Sequence, residues 1–245
     1  MKLVHARRLS AKAIRKRGKQ STTAIDSPAS LKGLISALTI MTLWFISLSI
    51  LLWIDVSQMP TWGVIAAVFF QAFLYTGLFI NAHDAIHGSL FPGNLRLNHF
   101  LGAVSVFLYV FLPYKKMLKN HHRHHRNPAT SVDPDFHRGW NKNILLWYLG
   151  FMFRYFTWKQ FLMAASLYNI AHLLLHFPEP NLTYFWIIPP LLSSVQLFYF
   201  GTYLPHRETA AGYTNDHHRA RSCSLPPFLS FLTCYHFGYH EEHHA

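Results

Sequence analysis

Three histidine groups carry the chemistry this sequence can offer: His83 and His87 in HDAIH, His121, His124 and His125 in HHRHH, and His240, His243 and His244 in HEEHH. On a helix, residues three and four apart lie on one face, so each group can turn two or three imidazoles toward one point. Imidazole binds zinc, copper, iron and nickel, and ligand type alone leaves the metal open. His206, in FGTYLPHRE, adds a ninth candidate. Nine imidazoles exceed what one ion can use, and a two-metal site is the economical reading. The carboxylates narrow its kind. A bundle-core di-iron centre of the ferritin type needs four inward glutamates, two of them in Glu-x-x-His pairs. The glutamates here are Glu179, Glu208, Glu241 and Glu242, and only the last two sit beside a histidine pair. A carboxylate-bridged centre is therefore excluded.

HEEHH also matches H-E-x-x-H, the zinc metalloprotease helix in which glutamate is the general base. An intramembrane zinc protease would need that motif within a membrane-embedded helix, whereas this copy lies well beyond the last apolar run. It would also leave the 83/87 and 121/124/125 groups idle. A metal transporter would spread its histidines along the spans, and these are clustered.

The elements that carry the histidines must bring them to one level. Apolar residues are 51% of the 245 and charged residues 13%, against roughly 25% charged in soluble domains. Runs at 31–54, 62–82, 158–176 and 183–204 are long enough to cross a bilayer, which takes about 20 helical residues. The net charge of +12 is concentrated in 1–20, 113–142 and 206–221, each block abutting an apolar run. That is positive-inside flanking of membrane spans rather than a nucleic-acid surface. The connections 55–61 and 177–182 hold no Lys or Arg and face outward. The N-terminus, the 113–142 loop and the C-terminus face the cytosol. Segment 96–112 has too short an apolar stretch for a comfortable span, and as a fifth span it would put His83 and His121 on opposite faces. It is read as a re-entrant or interfacial helix.

The expected fold is all-α and integral to the membrane: four transmembrane helices, one re-entrant or interfacial helix and a cytosolic histidine-rich cap. A basic cytosolic segment at 1–30 precedes one catalytic domain at 31–245. His83, His121, His206 and His240 then fall at one depth, in a topology derived from Lys and Arg alone. No small-residue cleavage site follows the first apolar run, so a signal peptide is not indicated. Cys223 and Cys234, the only cysteines, form neither a disulfide framework nor a zinc-finger set.

The other histidines have plainer readings. His172 and His176 are four apart but lie at the outer end of the third span, about 30 Å from the cytosolic level. His5, His99 and His137 are read as interface or loop residues. His122 points about 100° away from His121 on a helix. His217, His218 and His236 are near the site in sequence, with His218 and His236 candidates for a supporting role. Asp84 could accept the second ring N–H of His83, as carboxylates commonly do for ligating imidazoles.

At these residues the chain resembles the membrane fatty-acid desaturase and hydroxylase superfamily, whose hallmark is HxxxH, HxxHH and HxxHH on four spans. It is more similar still to the bacterial and cyanobacterial β-carotene ketolases, through FLYTGLFINAHDAIHG (73–88), LPYKKMLKNHHRHH (112–125), SSVQLFYFGTYLPHR (193–207), GYTNDHHRARS (212–222) and TCYHFGYHEEHH (233–244). The resemblance implies two iron ions, O2 as co-substrate, an electron donor such as ferredoxin, and oxidation of the ring C4 methylene of a carotenoid, β-carotene or a hydroxylated relative, to a ketone. It carries the metal-ligand role onto His83, His87, His121, His124, His125, His206, His240, His243 and His244. A carotenoid hydroxylase or a fatty-acid desaturase would share the scaffold. NDHHRARS holds one residue more than the family pattern, so His217 or His218 fills that position. The family continues past the third box where this sequence stops at Ala245, which leaves truncation open. A polyene must arrive sideways through the bilayer, and Tyr109, Tyr114, Phe198, Tyr199, Phe200 and Tyr203 could line its path.

Overall fold

The computed structural model describes residues 28–137, 142–209, 212–213 and 218–244. His5, His217, Ala245 and nearly all of the basic segment 1–30 lie outside them. Among the described residues every regular element is helical. Helix α1 is Pro28–Trp53, α2 Thr61–Ile86, α3 Leu95–Val110 and α4 Tyr114–Arg126. Next come α5 Ile144–Tyr155, and α6 Trp158–Asn169 prolonged by the π turn Ile170–Leu174. Helix α7 runs Glu179–His206, followed by α8 Pro227–Cys234 and α9 His240–His244. Helices α1, α2 and α7 are long and apolar enough to cross a membrane, and a fourth candidate is the pair α3–α4, bent by 104°. Trp53, Trp62, Phe69, Phe153 and Leu174 are exposed, as apolar side chains are when hydrocarbon rather than water surrounds them.

The core of the bundle is α2, packed by α1, α3 and α7. Polar pairs tie the helices where no water is available, the kind of interhelical bond that apolar bundles use. Asn98 on α3 donates to the Ala85 carbonyl at 2.7 Å, and its own carbonyl accepts from the Phe91 N–H. Tyr109 donates to the Pro190 carbonyl at 3.2 Å, and Thr76 meets Ser193 at 2.8 Å. These contacts give α3 its depth. It starts beside Ala85, near the histidine end of α2, and descends only to Tyr75 and Phe79, which its Tyr109 meets edge-on. Phe111 then turns left-handed (φ 59°) ahead of Pro113, and α4 leads back to the level of His83. A pair bent this sharply is either a broken span or the re-entrant segment expected at 96–112.

The expected span at 158–176 is built differently. Thr157 and Gln160 form a capping box that starts α6 afresh, a strong N-terminal signal. Helix α5 lies inward of it, with Trp147 against Phe198 and Tyr203, and Tyr148 bonded to Ser194. Helix α6 continues toward Trp53, which packs on Phe177. Two short helices, separated by Phe156–Thr157, thus run alongside α7. The expectation took only the outer one.

Helix α7 carries two π turns, Thr183–Ile187 and Tyr199–Tyr203. Each precedes prolines, Pro189–Pro190 and Pro205, whose rings lack a donor and collide with the carbonyl four residues back. A widened turn absorbs both faults without ending the helix. The second one sets the position of His206.

Candidate metal centre

Each ligand group is placed by a helix end. The last turn of α2 presents His83 and, one turn later, His87, after which Gly88 takes the left-handed conformation (φ 73°) and stops the helix, a common glycine role. The second half of α4 presents His121, His124 and His125. His206 ends α7, and the five-residue α9 carries His240, His243 and His244. Ser222 holds the start of α9, accepting from the Glu241 N–H at 3.0 Å and donating to Glu242.

These nine side chains meet in two groups. In the first, His83, His87, His121 and His243 converge, their ligand atoms within 4.8 Å of one another. His125 Nε2 joins them, 3.0 Å from both His121 Nε2 and His243 Nε2. In the second, His124, His206, His240 and His244 converge in the same way, all four buried. Nε2–Nε2 separations run from 2.7 Å for His87–His121 to 3.2 Å for His124–His244. A metal–imidazole bond of about 2.1 Å spaces neighbouring ligands at right angles about 3 Å apart. The spacing fits ligands around an ion.

Tautomers decide whether these nitrogens can bind one. His206 Nδ1–H donates to the Arg219 carbonyl at 2.9 Å, and a carbonyl can only accept. Its Nε2 is therefore a bare lone pair, buried and without a partner among the described residues, a costly arrangement unless a cation fills it. His124 Nδ1–H donates to both oxygens of Asp133, at 2.9 and 3.0 Å, which turns its Nε2 lone pair toward His244. Asp133 is itself pinned by the N–H groups of Ala129 and Asp135. Burial, and after it the charge of neighbouring imidazoles, lowers His87 to about 4 and His243 to about 3. Both are neutral near pH 7, the form that ligates metal. The donor set fits two ions, five nitrogens to one and four to the other.

Against the centre lies an apolar cavity walled by His83 and His121 of the first group, His124 and His240 of the second, and Phe79, Met117, Leu197 and Phe237. Through Tyr109, Val110, Met152 and Ser194 it meets a second apolar cavity between α6 and α7, lined by Phe161, Ala165, Tyr168 and Trp186. A Cβ on Gly201 would overlap the Phe237 ring, which stacks edge-on to His83 at 4.7 Å. Gly201→Ala is expected to lower any activity the cavity supports about tenfold or more by shifting that wall, with metal content unchanged. Paired turnover and metal analyses check it.

Residues 60–245 match the fatty acid desaturase family. The chain belongs to that family. Its relatives within the desaturases include a zeaxanthin 4-ketolase of Chlamydomonas reinhardtii, 42% identical over 88% of this chain and 51% of that protein. A β-carotene 4-ketolase of Protosiphon botryoides is 41% identical over 77% of this chain and 50% of its own length. A β-carotene ketolase of a Paracoccus species is 37% identical over 96% and 92%. The chain spans about half the length of the two algal relatives it matches. No solved structure matches it.

The other sequence candidates of this chain sort clearly. Asp84 reaches His83 Nδ1 only at 3.5 Å, with half its side chain in solvent. The His218 ring stands 6.5 Å from His244, and His236 stacks on Tyr239 away from both groups. His99 bonds Tyr114 and His172 the Phe177 carbonyl. Of the six aromatics, Tyr109 alone lines the cavity at the centre. Phe198 packs in the core on Trp147, and Tyr114, Tyr199, Phe200 and Tyr203 face elsewhere. His240 and His244 share a group as a zinc-protease motif would, but His124 and His206 complete it and no glutamate joins. Sequence reasoning missed Asp133 and Asp135, and the cavity residues Tyr155, Gly201 and Phe237. The string DPD (133–135), acidic residues eight to ten positions after a histidine box, was the available signal.

Proposed function

We propose that this chain is a β-carotene 4-ketolase of the membrane, oxidising the C4 methylene of a β-ionone ring to a ketone. The observation that carries this reading is the apolar cavity with ligands of both histidine groups in its wall; the names of the relatives supply the substrate class. Two irons, held by His83, His87, His121, His125 and His243 and by His124, His206, His240 and His244, would supply the activation of O2 that no side chain here performs. Each of two hydroxylations takes one O2, two electrons and two protons, leaves one oxygen on C4 and releases one water. The resulting geminal diol loses water to give the ketone.

The chain's own residues do the rest. Phe79, Leu197 and Phe237 exclude water and hold the ring edge toward the imidazoles. Asp133 holds the proton on His124 Nδ1. Tyr155 donates to Asp135 at 2.5 Å at the cavity wall, the polar end of an otherwise apolar site. The bilayer delivers the polyene through the α6–α7 cavity. In this reading four crossings, α1, α2, α5 with α6, and α7, place both termini and the histidine cap in the cytosol, where a carrier such as ferredoxin donates electrons.

Expression in a β-carotene-producing bacterium tests the proposal. Redder carotenoids carrying a conjugated ring carbonyl are expected in the extract. Accumulation of hydroxylated carotenoids alone would overturn it in favour of a hydroxylase.

A further inference from the structure

The two histidine groups differ in access. All four members of the second are buried, whereas the first includes His87, an exposed side chain. Its ring packs 4.4 Å from His243 and 4.8 Å from His121. The edge of His87 is thus exposed, while the apolar cavity at the centre is lined by His83, His121, His124 and His240 and not by His87. Beside it, α4 turns its second face outward. Lys115, Lys119, His122 and Arg126 follow one another at spacings of four, three and four, a single helical stripe, and Arg123 flanks it. All five are exposed, and none of the Lys or Arg side chains has a carboxylate within 4.0 Å among the described residues. The inner face of the same helix carries His121, His124 and His125. Lys115, Lys119, Arg123 and Arg126, without a carboxylate partner among the described residues, therefore lie on the face of α4 turned away from its histidines, on the helix whose His121 packs against the only exposed imidazole of the two four-histidine groups.

We propose that this stripe is the docking surface for an acidic one-electron carrier protein, with the exposed edge of His87 as the point where electrons pass to the centre. The inference rests on the oxygenase reading. Each hydroxylation consumes two electrons, delivered by two molecules of reduced carrier that leave oxidised, while the two protons come from water. Acidic surface on the carrier complements the stripe, and steering of this kind raises association rates by about 10–1000-fold and fades with salt. A lipid headgroup layer would use the same cations but would cover His87.

The test uses the iron-loaded, nanodisc-embedded protein, an acidic plant-type ferredoxin and no carotenoid. Ferredoxin binding and the rate of iron reduction are followed against ionic strength in the wild type, in Lys119→Glu/Arg123→Glu and in the milder Lys115→Gln/Lys119→Gln. Expected are a steep salt dependence in the wild type and binding weakened about tenfold or more in the charge-reversed protein. The neutralised variant should be intermediate, with iron content and reduction by dithionite unchanged in both. Salt-independent reduction of the wild type, or equal ferredoxin binding by all three proteins, would overturn the proposal. So would binding of the stripe to anionic vesicles that shuts ferredoxin out. Because no carotenoid is present, failure of the ketolase reading leaves this result standing.

Discussion

Alanine in place of His206 should abolish ketone formation and leave the protein with about one iron instead of two. Outer partners of metal ligands cost roughly 10–100-fold in affinity or activity when removed, and loss of a ligand itself is expected to exceed that. The choice of His206 rests on its tautomer: the Arg219 carbonyl takes the Nδ1 proton and leaves Nε2 as a bare acceptor in a buried group of four. The first group keeps all five of its imidazoles, so its ion is retained. Metal analysis of purified protein beside carotenoid extraction reads both effects. Full iron content in the variant would remove His206 from the ligand set.

A second large effect is expected from a residue outside every histidine box. Asp133→Asn should weaken metal retention about 10–100-fold, seen as faster iron loss to a chelator, with ketolation falling in step. Asp133 accepts from His124 with both oxygens and from two backbone N–H groups. An amide has one oxygen in that position, and its NH2 would face the His124 N–H together with the Ala129 or the Asp135 N–H, donor against donor. His124 is then free to turn or to adopt the other tautomer. The comparable Asp84→Asn change should do little, because Asp84 stands 3.5 Å from His83 and is half in solvent. Equal effects of the two changes would mean that Asp133 acts through folding alone, and a detergent melting curve would show it.

Much of the centre was legible because helix periodicity is local. Residues four apart on one helix must share a face, and each such pair serves a single group: His83 with His87, His121 with His125, His240 with His244. Apolar runs and the blocks of Lys and Arg likewise sufficed for α1, α2 and α7, since span length and flanking charge need no knowledge of neighbours. The α5–α6 pair escaped because its break depends on a capping box at Thr157 and Gln160 inside continuous apolar sequence.

The sequence by itself determined that the four inward glutamates of a ferritin-type centre are lacking and which histidines can share a helix face. Only the tertiary structure decided how they divide. His243 leaves its neighbours His240 and His244 for the first group, and His124 parts from His121 and His125 for the second. Those crossings, the reach of Asp133 to His124 and the fit of Phe237 against Gly201 depend on where separate helices end relative to one another. A helix's own period specifies the direction of its side chains, not what stands opposite them.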